Sequence, residues 1–180
     1  FLTELNKYPY DDPRVSVEIG DAFQLSRQMK EKYDVIFIDF PFPRNMDLMR
    51  LYSVEFYKSL KKNLREEGFI VLDGPVYGKI DTKEKIVVGD ADPEYRKRTT
   101  SVLMSTGHHA GFKGLRPYTI DVHSFLIMKT TQIPEVEPHY PPSFVDSIHY
   151  RQIEEALGQE FDYEIKRENV NSIFAPKFWY

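Results

Sequence analysis

Three acidic residues stand at the ends of apolar segments, where a carboxylate could bind an amine or a ribose. They are Asp39, after the run 35–38, Asp73, after the run 69–72, and Asp21, after an alternating segment. In an open parallel sheet, ligands bind beyond the carboxyl ends of the strands. A carboxylate at that place accepts hydrogen bonds from amines and hydroxyl groups. The alternative for each acid is structural, because Asp also caps turns and helices.

The segments before these acids predict an α/β sheet with parallel strands. Residues 35–38 and 69–72 are unbroken apolar runs, which are typical of central strands covered on both faces by helices. Residues 14–19 alternate between polar and apolar types, which predicts a half-buried strand near the sheet edge. Helices between these segments would complete the strand, helix, strand pattern of a parallel sheet.

Local signals set the expected bounds of the other elements. One helix is expected over 22–32, a second from the cap Ser53 to just before Gly68, and a third from Pro93. Residues 74–91 form a charged connection that is long enough to act as a flap over a site. An antiparallel strand pair is expected later in the chain, over 115–122 and 125–130.

Composition limits the classes of function. The 180 residues carry a net charge of -4, are 41% hydrophobic and include no cysteine. A chain of this kind forms a core and is neither disordered nor a disulfide scaffold. Its mild acidity argues against nucleic-acid binding, and no apolar run approaches the ~20 residues of a membrane helix. His108 and His109 are adjacent and lack the spacing of metal ligands. We therefore expect a cytoplasmic protein that binds no metal, nucleic acid or membrane.

Four sequence blocks resemble those of spermidine synthases and the related spermidine synthase-like proteins. They are Asp12-Pro13-Arg14-Val15, Gly20-Asp21-Ala22, the stretch YDVIFID at 33–39 and the stretch LYSVEFY at 51–57. Their order and spacing match over about 11–75, and a weaker match covers 118–128. The resemblance implies a class I methyltransferase-type Rossmann sheet, of which this chain holds strands three to seven. It also implies transfer of an aminopropyl group from decarboxylated S-adenosylmethionine to an amine such as putrescine.

The resemblance gives roles to individual residues. Asp21 matches the family acid that hydrogen-bonds the adenine amino group, with Ala22 beside it. Asp39 matches the acid that orients and deprotonates the attacking amine. Asp73 lies where many family members carry Gln near the amine, and Tyr118 matches an aromatic residue that lines the amine site. The implied co-substrate is decarboxylated S-adenosylmethionine, or S-adenosylmethionine itself, and no metal is required.

Two departures from the family pattern bear on activity. Phe42 stands where the family has a second acid, which would attract the second positive charge of a diamine. No glycine-rich G-x-G pattern precedes Arg14, although this fold needs a first strand that leads into such a loop. Either the chain is the C-terminal part of a longer polypeptide, or another chain supplies the first two strands and the loop. We expect the former.

Two regions and three functional hypotheses follow from the sequence. Residues 1–131 are expected to be the C-terminal part of a Rossmann-like catalytic domain. Residues 132–180 are expected to be a proline-rich linker with a helix over 146–157 and a final extended segment on the same domain. The leading hypothesis is an aminopropyltransferase-like homo-oligomer that acts on a small amine. The alternatives are an S-adenosylmethionine-dependent methyltransferase and a catalytically silent family member that serves as a binding or assembly subunit.

Overall fold

A four-stranded mixed sheet is the centre of the computed structural model, which describes residues 9–43, 45–74, 76, 93–120, 123–134 and 160–177. Its strands are β1 (Tyr33–Asp39), β2 (Leu64–Asp73), β3 (Gly114–Ile120) and β4 (His123–Lys129). Their order is β1-β2-β4-β3, with β1 parallel to β2 and the other pairs antiparallel. The helices are α1 (Ala22–Gln28), α2 (Met46–Met49), α3 (Val54–Lys62) and α4 (Pro93–His109). The predicted α/β class and the antiparallel pair are confirmed.

The hydrophobic core lies on one face of this sheet. Side chains two residues apart on a strand share a face, so Ile70 and Leu72 on β2 point the same way as Leu126 and Met128 on β4. All four are fully buried. Helices α1 to α4 contribute to the same cluster, through Phe23, Met49, Phe56, Tyr57, Leu103 and others. Burying each side chain of this size stabilises the fold by about 1.5–3 kcal/mol.

The opposite face of the sheet carries Val35, Phe37 and Asp39 of β1, in register with residues of β2. Phe37 is 76% exposed, so the prediction that helices cover both faces of this strand is wrong among the described residues. The reason is that β1 is the edge strand among the described residues, and the described helices join the cluster on the other face. This open face is where the acidic end of β1 lies.

The alternating segment 14–19 does not form a strand, and that prediction is wrong. Val15, Val17 and Ile19 are 44%, 60% and 97% exposed. A β-strand is defined by backbone hydrogen bonds to a neighbouring strand along its length. No described residue pairs with this segment in a ladder, so alternation alone does not bury its apolar side.

Helix α1 ends at Gln28, four residues before the predicted end, and α3 ends at Lys62. Because β2 begins at Leu64, Gly68 lies inside a strand and not after a helix. A Cβ at Gly68 would lie 2.9 Å from the carbonyl oxygen of Tyr33, so glycine permits the close approach of β1 to β2. The predicted helix starts at Ser53 and Pro93 are confirmed.

Two predicted elements lie outside the described residues: most of the charged connection over 74–91, and the helix over 146–157. Among the described helices, none is both long enough and apolar enough to cross a membrane. The described part of the chain also contains no group of three or more His, Cys, Asp or Glu side chains that could hold a metal ion.

Candidate active site

Four residues lie side by side across the sheet at the carboxyl ends of its parallel strands. Asp39 pairs with Asp73, Asp73 pairs with Phe125, and Phe125 pairs with Tyr118. Paired residues on neighbouring strands point to the same face, with Cα atoms about 5 Å apart. We call these four residues the acidic–aromatic row. It brings together three of the residues singled out from the sequence, Asp39, Asp73 and Tyr118.

The acidic half of the row favours a bound cation. Burial raises the pKa of the Asp73 carboxyl, the negative charge of Asp39 raises it further, and the charge of His123 lowers it. Two carboxylates on adjacent strands repel one another when both are ionised. An ammonium group placed between Asp39 and Asp73 would relieve that repulsion and donate a hydrogen bond to each carboxylate.

The aromatic half of the row is a stack of rings. The ring centroids of Phe125 and Tyr118 are 5.1 Å apart, and those of Phe125 and His123 are 6.2 Å apart. Burial raises the pKa of Tyr118, and the charge of Asp73 adds to the effect. His123 falls in the predicted turn between the two antiparallel strands and was therefore not a predicted site residue. The structure begins β4 at His123, on the same face as Phe125.

Tyr52 fixes the loop that follows Asp39. Its hydroxyl lies 3.0 Å from the carbonyl oxygen of Phe40 and 3.3 Å from that of Pro41, and donates to them. Tyr52 is fully buried. Burial, with the negative charges of Asp73 and Asp39, raises the pKa of Tyr52 well above its usual value, so the phenol stays a neutral donor. Phe42, the next residue of this loop, is 48% exposed.

Asp21 lies apart from the acidic–aromatic row and caps α1. Its Oδ1 accepts a hydrogen bond of 3.1 Å from the backbone N–H of Gln24. Its Oδ2 lies 2.6 Å from the guanidinium of Arg50. These hydrogen bonds, from Gln24 first and Arg50 second, lower the pKa of Asp21. Asp21 therefore has the structural role expected as the alternative for this acid: it caps the helix whose first residue is Ala22.

A pocket of about 280 Å³ lies beside this ion pair. Its walls include Phe23, Met49, Arg50, Ser172 and Pro176. The Arg50 guanidinium also lies 5.7 Å from the centroid of the Phe23 ring. The pocket is therefore mainly apolar with one cationic group, a combination that suits a flat ring system with a few polar atoms.

The C-terminal segment is fixed to the elements that carry the candidate site. The side chain of Asn171, which is 1% exposed, donates from Nδ2 to the carbonyl oxygens of Met49 and Tyr52 at 2.9 and 3.0 Å. Its Oδ1 accepts a hydrogen bond of 3.0 Å from the N–H of Lys177. One amide thus holds the turn that places Tyr52, and Tyr52 in turn holds the loop after Asp39.

Comparison with known proteins gives the family of this fold. A family model described as the spermine/spermidine synthase domain matches residues 1–92, just over half of the 180 residues. The chain belongs to this family. The sequence resemblance to spermidine synthases is thereby confirmed.

Relatives and solved structures of the spermine/spermidine synthase family agree with this assignment. Polyamine aminopropyltransferase 1 of Streptomyces coelicolor is 33% identical over 124 residues, which is 69% of this chain and 20% of that protein. Polyamine aminopropyltransferase 2 of Aquifex aeolicus is 39% identical over 70 residues, 39% of this chain and 14% of that protein. The chain thus spans a fifth or less of the length of these two relatives.

The fold is shared with a crystal structure of a spermidine synthase in complex with the transition state analogue AdoDATO. The TM-score is 0.50 at 19% identity, over 97% of this chain and 50% of that one. The predicted class I methyltransferase-type sheet is therefore confirmed. The family match ends at residue 92, so it includes Asp39 and Asp73 but not Phe125 or Tyr118. The aromatic half of the row lies beyond the matched part of the chain.

Proposed function

We propose that the protein transfers an aminopropyl group from decarboxylated S-adenosylmethionine to an amine acceptor. The observation that carries this proposal is the pairing of Asp39 with Asp73 at the carboxyl ends of two parallel strands. The pair provides the negative charge that a protonated amine needs, at the edge of the sheet where this class of fold binds ligands. The names of the relatives, which are polyamine aminopropyltransferases, support the same reaction.

In the proposed reaction, the nitrogen lone pair of the amine attacks the propyl carbon beside the sulfonium. A carbon–nitrogen bond forms, the carbon–sulfur bond breaks, and its electron pair returns to sulfur to give neutral methylthioadenosine. The amine must be neutral when it attacks, so its proton passes to the carboxylate of Asp39. The sulfonium is already a good leaving group, and the protein contributes mainly orientation and this proton transfer.

Other residues have positioning roles in the proposal. Asp73 shares the ammonium group with Asp39 before the proton is removed, and Tyr118 lines the amine site. Tyr52 keeps the backbone after Asp39 fixed through its hydrogen bond to Phe40. Asp21 and Ala22 would hold the adenine ring, with the lone pairs of Asp21 that neither Gln24 nor Arg50 uses. A cytoplasmic location and a homo-oligomeric state belong to the same proposal.

The test compares two nucleosides. The full-length protein is incubated with decarboxylated S-adenosylmethionine or with S-adenosylmethionine, each with a panel of amines, and the nucleoside products are separated by chromatography. Methylthioadenosine formed only in the presence of an amine supports the proposal. S-adenosylhomocysteine would instead identify a methyltransferase. Tight nucleoside binding without any product would identify a binding subunit.

A further inference from the structure

The pocket beside the Asp21–Arg50 ion pair takes part of its wall from the C-terminal segment. A turn over 171–176, which is closed by a backbone bridge, packs against the helices there. We call it the C-terminal turn. Together with residues of α1 and α2, the pocket is lined by three apolar or hydroxyl-bearing residues of this turn: Ser172, Ile173 and Pro176. Residues far from the strand ends in sequence thus form part of the cavity.

Hydrogen bonds hold the C-terminal turn in place without a ligand. The carboxylate of Glu55 on α3 accepts hydrogen bonds from the hydroxyl of Ser172, at 2.6 Å, and from the N–H of Ile173, at 3.1 Å. The side-chain amide of Asn171 donates to the carbonyl oxygen of Met49, which itself lines the pocket. The turn is therefore tied directly to another wall of the cavity. A preformed wall of this kind lowers the entropy that a ligand loses on binding.

The polar side of the pocket is continuous with Asp21. Gln24 and Arg50, which donate hydrogen bonds to Asp21, both line the cavity. A carboxylate that accepts and a guanidinium that donates complement a ring with an amino group beside a ring nitrogen, and adenine has this arrangement. The volume of about 280 Å³ lies just below the range of about 300–1,000 Å³ for drug-sized ligands. It therefore suits the ring better than a whole nucleoside.

We infer that the C-terminal turn belongs to the nucleoside site, and that Ile173 and Pro176 contact the adenine ring. This inference rests on the proposed function, because the ligand is the nucleoside of the proposed transfer. The apolar side chains of the turn cover one part of the ring, while Asp21 and Arg50 bind its polar edge. Ile173 is 39% exposed, so it retains apolar surface that a ligand can remove from water.

The experiment titrates methylthioadenosine calorimetrically into the full-length protein and its variants. Ile173→Ala removes apolar contact from the pocket and should raise the Kd by about tenfold. Ile165→Ala is the matched control and should keep the wild-type Kd. Ile165 is an isoleucine of the same C-terminal segment, is 45% exposed and is not among the residues that line this pocket.

A second pair of variants adds bulk at the same two positions. Ile173→Trp places a larger side chain at the pocket wall and should weaken binding more than Ile173→Ala does, whereas Ile165→Trp should have no effect. Both isoleucines are partly exposed, so none of the four substitutions changes a fully buried side chain, and all four variants should fold. Equal Kd values for the Ile173 and Ile165 variants, or no binding of methylthioadenosine by the wild-type protein, overturn the inference.

Transfer assays separate this inference from the proposed function. Ile173→Ala should raise the KM for decarboxylated S-adenosylmethionine and leave kcat nearly unchanged, because the side chain contacts the ring and not the reacting carbon. Wild-type transfer with equal KM values for Ile173→Ala and Ile165→Ala would leave the proposed function intact and overturn the inference. The expected order of Kd values without any transfer would do the opposite.

Discussion

Asp39 and Asp73 are the last residues of two adjacent parallel strands, and they lie opposite one another in the register of the sheet. The pairing is unfavourable for the isolated protein, because burial and the charge of Asp39 both raise the pKa of Asp73. Repulsion between two carboxylates at a ligand-binding edge is expected of a site that binds a cation. The sheet therefore places like charges together where an amine is expected to bind.

Asp73→Asn should stabilise the protein at neutral pH. The pKa of Asp73 is raised in the folded state above its ordinary value of 3.8, so the folded state binds this proton more tightly than the unfolded state. Its favourable contribution is present below pH 3.8 and is lost as the pH rises through the raised pKa. The free energy of unfolding of the variant, relative to wild type, should thus increase from acidic to neutral pH. Urea unfolding at a series of pH values measures this trend, and a flat difference would contradict it.

Glu55→Gln should have the opposite pH dependence. Burial raises the pKa of Glu55, but the hydrogen bonds from the Ser172 hydroxyl and the Ile173 N–H, of 2.6 and 3.1 Å, lower it below its ordinary value of 4.5. The stabilisation is present above pH 4.5 and is lost as the pH falls through the lowered pKa. We expect a loss of about 1 kcal/mol at neutral pH that shrinks in acid. The same unfolding series checks it, and a loss that grows toward low pH would refute the account.

Asn171→Ala should destabilise the protein by about 2–3 kcal/mol, because it leaves the buried carbonyl oxygens of Met49 and Tyr52 without their donor. Asn169→Ala is the matched control, since its amide donates a hydrogen bond of 3.2 Å at the surface to the backbone carbonyl oxygen of Glu164, a described residue. The control should lose less than about 1 kcal/mol. Chemical denaturation of both variants gives the comparison. Equal losses would show that Asn171 does not hold the turn before α3.

Asp21 has two roles that substitution can separate. Asp21→Asn keeps an oxygen for the cap of α1 but loses the partly exposed ion pair with Arg50, and pairs of this kind contribute little to stability. Asp21→Ala loses the cap as well and should therefore lower the free energy of unfolding further. If Asp21 also anchors adenine, both variants should bind methylthioadenosine about tenfold more weakly in calorimetry. Unchanged binding in Asp21→Ala would restrict the residue to its structural role.

The sequence was sufficient for the elements that depend on local signals. The apolar runs before Asp39 and Asp73 predicted β1 and β2, and the hydroxyl of Ser53 marks the start of α3. Residues 14–19 show the limit of such signals. The alternation of polar and apolar side chains is a local property of the sequence, whereas a strand also needs hydrogen bonds to a neighbouring strand, which is not a local property. The acidic half of the candidate site followed from the strand ends alone.

The remainder of the candidate site depends on contacts between distant residues. Phe125 joins the row only through the register of β4 against β2, and Arg50 reaches Asp21 across 29 positions. Asn171 reaches Met49 across 122 positions. No spacing rule connects such residues, and the pairings become visible only when the sheet and its helices are packed together.

The most direct test of the account is the rate of methylthioadenosine release by Asp39→Asn. The variant keeps the size of the side chain and removes its ability to take a proton from the amine. With decarboxylated S-adenosylmethionine and an amine that the wild-type protein uses, we expect the rate to fall by about 10²–10⁴-fold. Nucleoside binding, measured by calorimetry on the same sample, should be largely unchanged. Wild-type turnover in Asp39→Asn would contradict the account and remove Asp39 from the mechanism.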